Sequence, residues 1–179
     1  MSPTQYMTKE EIRNIPLSDY PLLMLSDNME SLVSARIKDV TNGSYNHLMW
    51  LVRPGVLVTQ DWMLKETSLE DYLKKHRLKL WTSRCWSPAV KLVIKNKLSE
   101  AIKQPWYKRI YDPLQILGLR FKLPWLQLPG GPEICSDQAK YLKYADTKYD
   151  LEHPSPEDVN RYLQEYPKKY QVYGRYAPD

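Results

Sequence analysis

At 179 residues the chain is long enough for one domain with a substantial core and short for two. Hydrophobic residues make up 42% and charged residues 26%, which argues against global disorder, and no apolar run approaches the length of a membrane span. The formal charge of +5 and pI near 9.0 would suit a polyanion, but Lys and Arg are dispersed, without a basic run interleaved with aromatics, so nucleic-acid binding is not expected.

Taken in order, the sequence predicts a short helix at Lys9–Asn14 within a polar arm, then a buried strand at Pro21–Leu25. Asp27 followed by Glu30 has the capping-box spacing and predicts a helix with Met29, Leu32, Val33, Ile37 and Val40 on its apolar face. Asn42-Gly43 stops it. His47–Arg53 and Val56–Gln60 read as strands of a hairpin around Pro54-Gly55. Ser68 caps a short helix bearing Leu69, Tyr72 and Leu73, and Leu78–Cys85 alternates like a half-exposed strand.

Ser87-Pro88 opens a long helix through Lys103, with Val90, Val93, Ile94, Leu98, Ala101 and Ile102 on or near one face. Five prolines between residues 104 and 132 predict irregular chain with one helical turn near Leu114–Leu119. A helix then starts at Pro132-Glu133 and carries Cys135, and Ser155-Pro156 caps a last one bearing Val159, Tyr162 and Leu163. The end, QVYGRYAPD, reads as an edge strand and tail. There is no internal repeat and no domain-sized linker, so the expected division is an arm at 1–16, one domain at 17–166 and a tail at 167–179. The first residues lack a basic-then-apolar signal pattern, which predicts synthesis in a cytoplasm without an export signal of the chain's own.

The chemistry centres on Cys135. A thiol in the first turn of a helix has its thiolate favoured, and the thiolate is the nucleophile. It needs a histidine, and only three exist. His76 lies in the basic run Lys74–Arg77 and His153 precedes Pro154, so both read as surface; His47 opens an apolar strand, where its ring can enter a cleft. A group is also needed to fix the ring. Gln60 ends the next strand, and its amide oxygen can accept from an imidazole N–H as Asn does in Cys-His-Asn sites. Asp61 is adjacent, but strand alternation directs it to the other face. Cys85 reads as the end of a buried strand. Trp50, Trp62, Trp125 and Tyr45 are candidates for a cleft lining, with core packing the alternative for each. Two distant cysteines make no zinc pattern, Gly130-Gly131 lacks a P-loop lysine, and no metal or cofactor is expected.

The order of apolar strand, capped helix, SYNH, hairpin, short helix, strand, helix and YDPLQILG, followed by CSDQAKYL and SPEDV, resembles the circularly permuted NlpC/P60 papain-like family. These are YiiX-like hydrolases related to lecithin retinol acyltransferase. The resemblance runs from about Leu17 to Asp158. It implies an α+β papain-like fold, with a small antiparallel sheet against helices and the nucleophile at a helix N-terminus. It also implies Cys135 as nucleophile, His47 as base and Gln60 in the place of an orienting acid. The sequence departs from the family at Tyr20-Pro21, where a Gly-Asp pair is usual, at Met49, where Gly is common, and at Gln60 itself. A neutral amide can orient a ring without lending it charge. The activity implied is thiol-dependent amide hydrolysis, with peptidoglycan stem peptides the leading substrate and a phage-encoded or intracellular bacterial setting. The alternatives are an inactive domain of the same fold serving as a structural or binding module, with protein partners in a virion, and a lipid-directed acyltransferase.

Overall fold

The computed structural model describes residues 6–28, 35, 38–39, 42–109, 135–151 and 154–178. Its centre is β1 (Leu22–Asn28), a run of residues that is apolar at successive positions because both of its faces are covered. Leu23 and Leu25 enter one core with Leu48, Trp50, Val58 and Trp81, while Leu22 and Met24 enter a second with Met49, Leu51, Leu57 and Leu80. Around β1 lie β2 (His47–Arg53), β3 (Val56–Gln60), β4 (Leu64–Ser68), β5 (His76–Ser83) and β6 (Tyr170–Tyr176). Together they form one six-stranded sheet of order β4-β3-β2-β1-β5-β6, with every neighbouring pair antiparallel.

Helices cover both sides. On the second core sit α1 (Lys9–Arg13), whose Thr8 and Glu11 form a capping box, and α2 (Leu69–Leu73), capped by Ser68. On the first sit α3 (Pro88–Ile102), which precedes the short α4 (Trp106–Arg109) in the chain, and then a 3₁₀ helix (Cys135–Tyr144) and α5 (Pro156–Glu165), which lie between α4 and β6. Ser87 caps α3 through Val90 N, and Ser155 with Asp158 makes the capping box of α5. The fold is therefore α+β with an antiparallel sheet packed against helices.

Several elements differ from the sequence reading. Asp27 does not cap a helix: it is a β1 residue opposite Arg77, and its carboxylate holds Lys38 at 2.6 Å. Glu30 and the expected face of Met29, Leu32, Val33, Ile37 and Val40 lie outside the described residues, but Ala35, Lys38 and Asp39 are helical. The stop at Asn42-Gly43 is real, with Asn42 at φ 47 and Gly43 N donating back to Lys38 O, as in a Schellman motif. Strand β4 has no apolar alternation, since only Leu64 is buried, and its Lys65 and Glu66 suit an outer strand that must not pair further. Strand β5 starts at His76 and is buried from Leu78 to Ser83, not half-exposed, because β1 and β6 flank it and both cores cover it. Cys85, outside that strand, is exposed and its thiol is free. On α3 the buried residues are Ile94 and Leu98, while Val93 is 39% exposed. The expected turn at Leu114–Leu119 lies outside the described residues.

The segments read as arm and tail are built into the fold. Ile12 and Ile15 are core residues, Tyr6 bridges to Arg175, and β6 completes the sheet against β5. Behind β6 a buried carboxylate ties three elements together. Asp146 accepts from Tyr162 Oη (2.9 Å), Tyr170 Oη (3.0 Å), Lys169 Nζ (2.7 Å) and the Lys148 amide (3.1 Å). Burial alone would raise its pKa, but these donors outweigh it and hold the group at about 2. A carboxyl whose folded pKa lies below its ordinary value stabilises the fold above that value, and the contribution is lost as pH falls toward 2. Asp146→Asn should therefore cost about 3 kcal/mol of unfolding free energy at pH 7. In urea titrations at successive pH values, the variant should also show a shallower loss of stability between pH 4 and 2.

Candidate active site

The chain approaches His47 through a clamped turn. Ser44 N donates to Glu157 Oε2 at 2.8 Å, and Asn46 N donates to Ser26 O at 3.1 Å. Gly43 is needed here for closeness, since a Cβ on it would lie 2.6 Å from Glu157 Cβ. Glu157 is itself held, with Oε1 accepting from Asn160 Nδ2, while Asn160 Oδ1 accepts from the buried Lys79 Nζ at 2.9 Å. Burial, then the nearby Arg175 charge, push Lys79 down to about 8, with Glu157 opposing. The start of β2 is thus fixed from α5 and β5.

Register then decides what faces the ring. A two-residue Pro54-Gly55 turn with uninterrupted pairing would place Gln60 on the same face as His47. Pairing begins at Arg53 with Val56, yet Leu51 pairs with Leu57 and Met49 with Thr59. Val52 is an extra residue on β2, and a one-residue shift exchanges the faces of everything beyond it. Continued by one pair, this register sets Asp61 opposite His47. Thr59 and Asp61 consequently share the face of His47, and Gln60 points into the other core.

The distances follow that arrangement. His47 Nε2 lies 2.6 Å from Thr59 Oγ1 and 3.3 Å from Asp61 Oδ1. Tyr72 Oη donates to the same Asp61 oxygen at 2.7 Å and lies 3.2 Å from Thr59 Oγ1. The Tyr72 ring is stacked with His47, 8° from parallel at 6.3 Å, and also packs against the His76 ring at 4.6 Å. Gln60 is 1% exposed, and its Oε1 accepts from Gln138 Nε2 at 3.3 Å. The carboxylate at the ring is therefore that of Asp61, and Gln60, expected there from the sequence, lies against Gln138 instead.

Cys135 is the first residue of the 3₁₀ helix and 3% exposed. Ala139 and Leu142 root that helix in the core, and Trp50 Nε1 donates to Gln138 O at 3.0 Å. Its thiol is hydrogen-bonded to the His47 ring. Burial, the largest influence, disfavours a charged imidazole. The negative charge of Cys135 and the hydrogen bonds to Asp61 and Cys135 outweigh it, and the pKa of His47 rises to about 10. Asp61 stays ionised: burial opposes this, but His47 and the Tyr72 hydroxyl hold it down at about 2. Tyr72 is pushed far upward by burial and by Asp61, so it remains a hydroxyl donor. His76 is not a solvated helix end but a β5 residue whose Nδ1 is 3.3 Å from Ser26 Oγ. Burial and the charge of His47 lower its pKa to about 4, so it stays neutral beside the imidazolium.

The structure thus brings Cys135 and His47 together, adds Asp61, Thr59 and Tyr72, and turns Gln60 away. Thr59 and Asp61 carry an i, i+2 signal for a shared face, but only the bulge says which face. Tyr72 reads in sequence as a core residue of a short helix, which it also is. Among the aromatic candidates, Trp50 is fully buried, Tyr45 is half-buried on the far side of the sheet, and Trp62, next to Asp61, is 81% exposed. Trp125 and His153 lie outside the described residues. Among the described residues no group of three or more His, Cys, Asp or Glu side chains is placed to hold a metal ion, and no helix is long and apolar enough to cross a membrane.

No known protein family matches the chain, and a search of curated proteins finds no similar sequence. The site must be read from its own geometry.

Removing either anionic neighbour takes away part of what holds the His47 pKa up against burial. Its imidazole resonances, followed by NMR, should titrate near pH 10 in the wild type and at least one unit lower in Asp61→Asn and in Cys135→Ala. Gln60→Ala should leave that midpoint in place.

Proposed function

We propose that this protein is a cysteine amidase or peptidase working by acyl transfer, with Cys135 as nucleophile, His47 as acid–base and Asp61 as the orienting carboxylate. The observation that supports this reading is the partly buried His47 ring, hydrogen-bonded to the Cys135 thiol and lying against Asp61 and Thr59 through Nε2. With Nε2 so engaged, Nδ1 serves the thiol. The raised pKa of the ring keeps it an imidazolium at neutral pH, and a positive charge beside Cys135 favours its reactive thiolate form.

In this mechanism the Cys135 sulfur attacks the amide carbonyl carbon, and the carbonyl electrons move to oxygen. The Cys135 backbone N–H, at its helix start, is the natural donor to that oxyanion. As the C–N bond breaks, His47 gives its proton to the leaving nitrogen and a thioester remains. Neutral His47 then takes a proton from water, and the hydroxide adds to the thioester. Collapse expels the Cys135 thiolate, which pairs again with the imidazolium. Asp61 compensates the ring's charge throughout, and Tyr72 and Thr59 keep the carboxylate and ring in place.

The resemblance of the sequence to permuted NlpC/P60 proteins makes peptidoglycan stem peptides the first substrates to test and a phage-encoded protein the setting that resemblance favours. Hydrolysis of stem-peptide fragments, followed by mass spectrometry, should fall by about 10³-fold or more in Cys135→Ala. Cys85→Ala should have no effect. Activity should persist through pH 8–9 and decline near pH 10, where His47 loses its proton. Trp62→Ala, if this exposed ring holds substrate, should raise KM with little change in kcat.

One observation favours the second reading, an inactive domain of this fold acting as a binding module: Cys135 is only 3% exposed. Thiol labelling separates the two. In a Cys85→Ala background at pH 6, an activated Cys135 should react faster with iodoacetamide than the unfolded chain does. Slower labelling, together with no hydrolysis, would assign the protein to the binding class.

A further inference from the structure

A cleft of about 700 Å³ opens at the same end of the sheet as His47 but on the opposite side. Asp27 and Arg77, a cross-strand pair, line it, whereas their neighbours Ser26 and His76 face the His47 side. Arg175 on β6, Lys38 and Asp39, and the rings of Tyr6 and Tyr45 complete its charged and aromatic wall. Its size is that of a small-molecule site.

Among the described residues the charges in it are not balanced: Lys38 is engaged by Asp27 at 2.6 Å, which leaves the guanidiniums of Arg77 and Arg175 against the exposed carboxylate of Asp39. Arg175 Nε is buried without a hydrogen-bond partner among the described residues, a costly state for a charged donor. Its backbone is locked between β5 and the Tyr6 bridge, so the side chain cannot leave the cleft by strand movement. Two planar guanidiniums with unused donors, in a concave polar site, are a fork for an oxyanion.

We propose that this cleft binds a small organic anion, with its carboxylate or phosphate held between Arg77 and Arg175 and its remainder against Tyr6 and Tyr45. The site is separate from Cys135 and does not depend on the hydrolase reading.

The test is thermal unfolding and calorimetric titration of the full chain with succinate and with inorganic phosphate, at ionic strength held constant with sodium chloride. A ligand that binds the native state raises the melting temperature in a saturable way. Both the exposed Arg77→Gln and Arg175→Gln should weaken binding by about tenfold or more, the loss of a charge-assisted pair of hydrogen bonds. Cys135→Ala should bind like the wild type. Stronger binding of succinate assigns a carboxylate ligand, stronger binding of phosphate a phosphorylated one, and equal binding supports a general oxyanion site. Absence of a saturable response to either anion beyond that to chloride would overturn the proposal. So would an Arg77→Gln protein that binds as tightly as the wild type, and this variant decides the matter even if Arg175→Gln does not fold.

Discussion

The structure depends on covering both faces of β1. Each successive side chain from Leu22 to Leu25 must be removed from water on alternate sides, so one layer of helices cannot suffice. That constraint draws α1 and α2 to one face and α3, the 3₁₀ helix and α5 to the other. It also places the sheet's end, where both layers stop, between two sets of polar groups. The His47 site forms on the α2 side of that end, and the Arg77–Arg175 cleft on the other. Both are consequences of where the apolar rows of β1 run out, at Ser26 and Asp27.

Within this frame the site is a problem of charge burial. The His47 imidazolium and the buried Cys135 thiol sit beside Asp61, whose carboxylate is partly open to solvent, and charged groups drawn away from water persist only when each is paired and hydrogen-bonded. Asp61 meets that condition through Tyr72 Oη, Thr59 Oγ1 and His47 Nε2. His47 meets it through Thr59, Asp61 and Cys135. Tyr72 does two jobs, giving its ring to the second core and its hydroxyl to the carboxylate. The neutral His76 beyond it adds no opposing charge. On the other side of the sheet, Glu157, Asn160 and Lys79 form a second buried polar set, and its role is positional: it holds the turn that delivers His47.

The bulge at Val52 links the fold to the chemistry. Without it Gln60 would share the face of His47, and the ring would be oriented by an amide that carries no charge. With it, Asp61 takes that place and Gln60 ties the hairpin to the 3₁₀ helix through Gln138. A single unpaired residue thus decides whether the histidine has an acid beside it.

Local signals in the sequence were enough for much of the framework. The caps at Ser68, Ser87 and Ser155, the Pro54-Gly55 hairpin and the stop at Asn42-Gly43 each rest on hydrogen bonds or backbone angles settled within a few residues. Cys135 and His47 could be nominated as well, because a thiol at a helix start and a histidine at a strand mouth are local features. What needed the tertiary structure was non-local. Asp27 reads as a cap, but β1 extends through it because Arg77 on β5 offers a pairing partner. His76 reads as solvated, yet Tyr72 and Ser26 close around it. Strand β4 is invisible, since its residues are polar and only the ladder to β3 makes them a strand. Asp61 was directed away from His47 by an alternation rule that holds only while pairing is regular. Sequence periodicity carries which residues alternate, whereas the phase between two strands is set by how both pack against their cores.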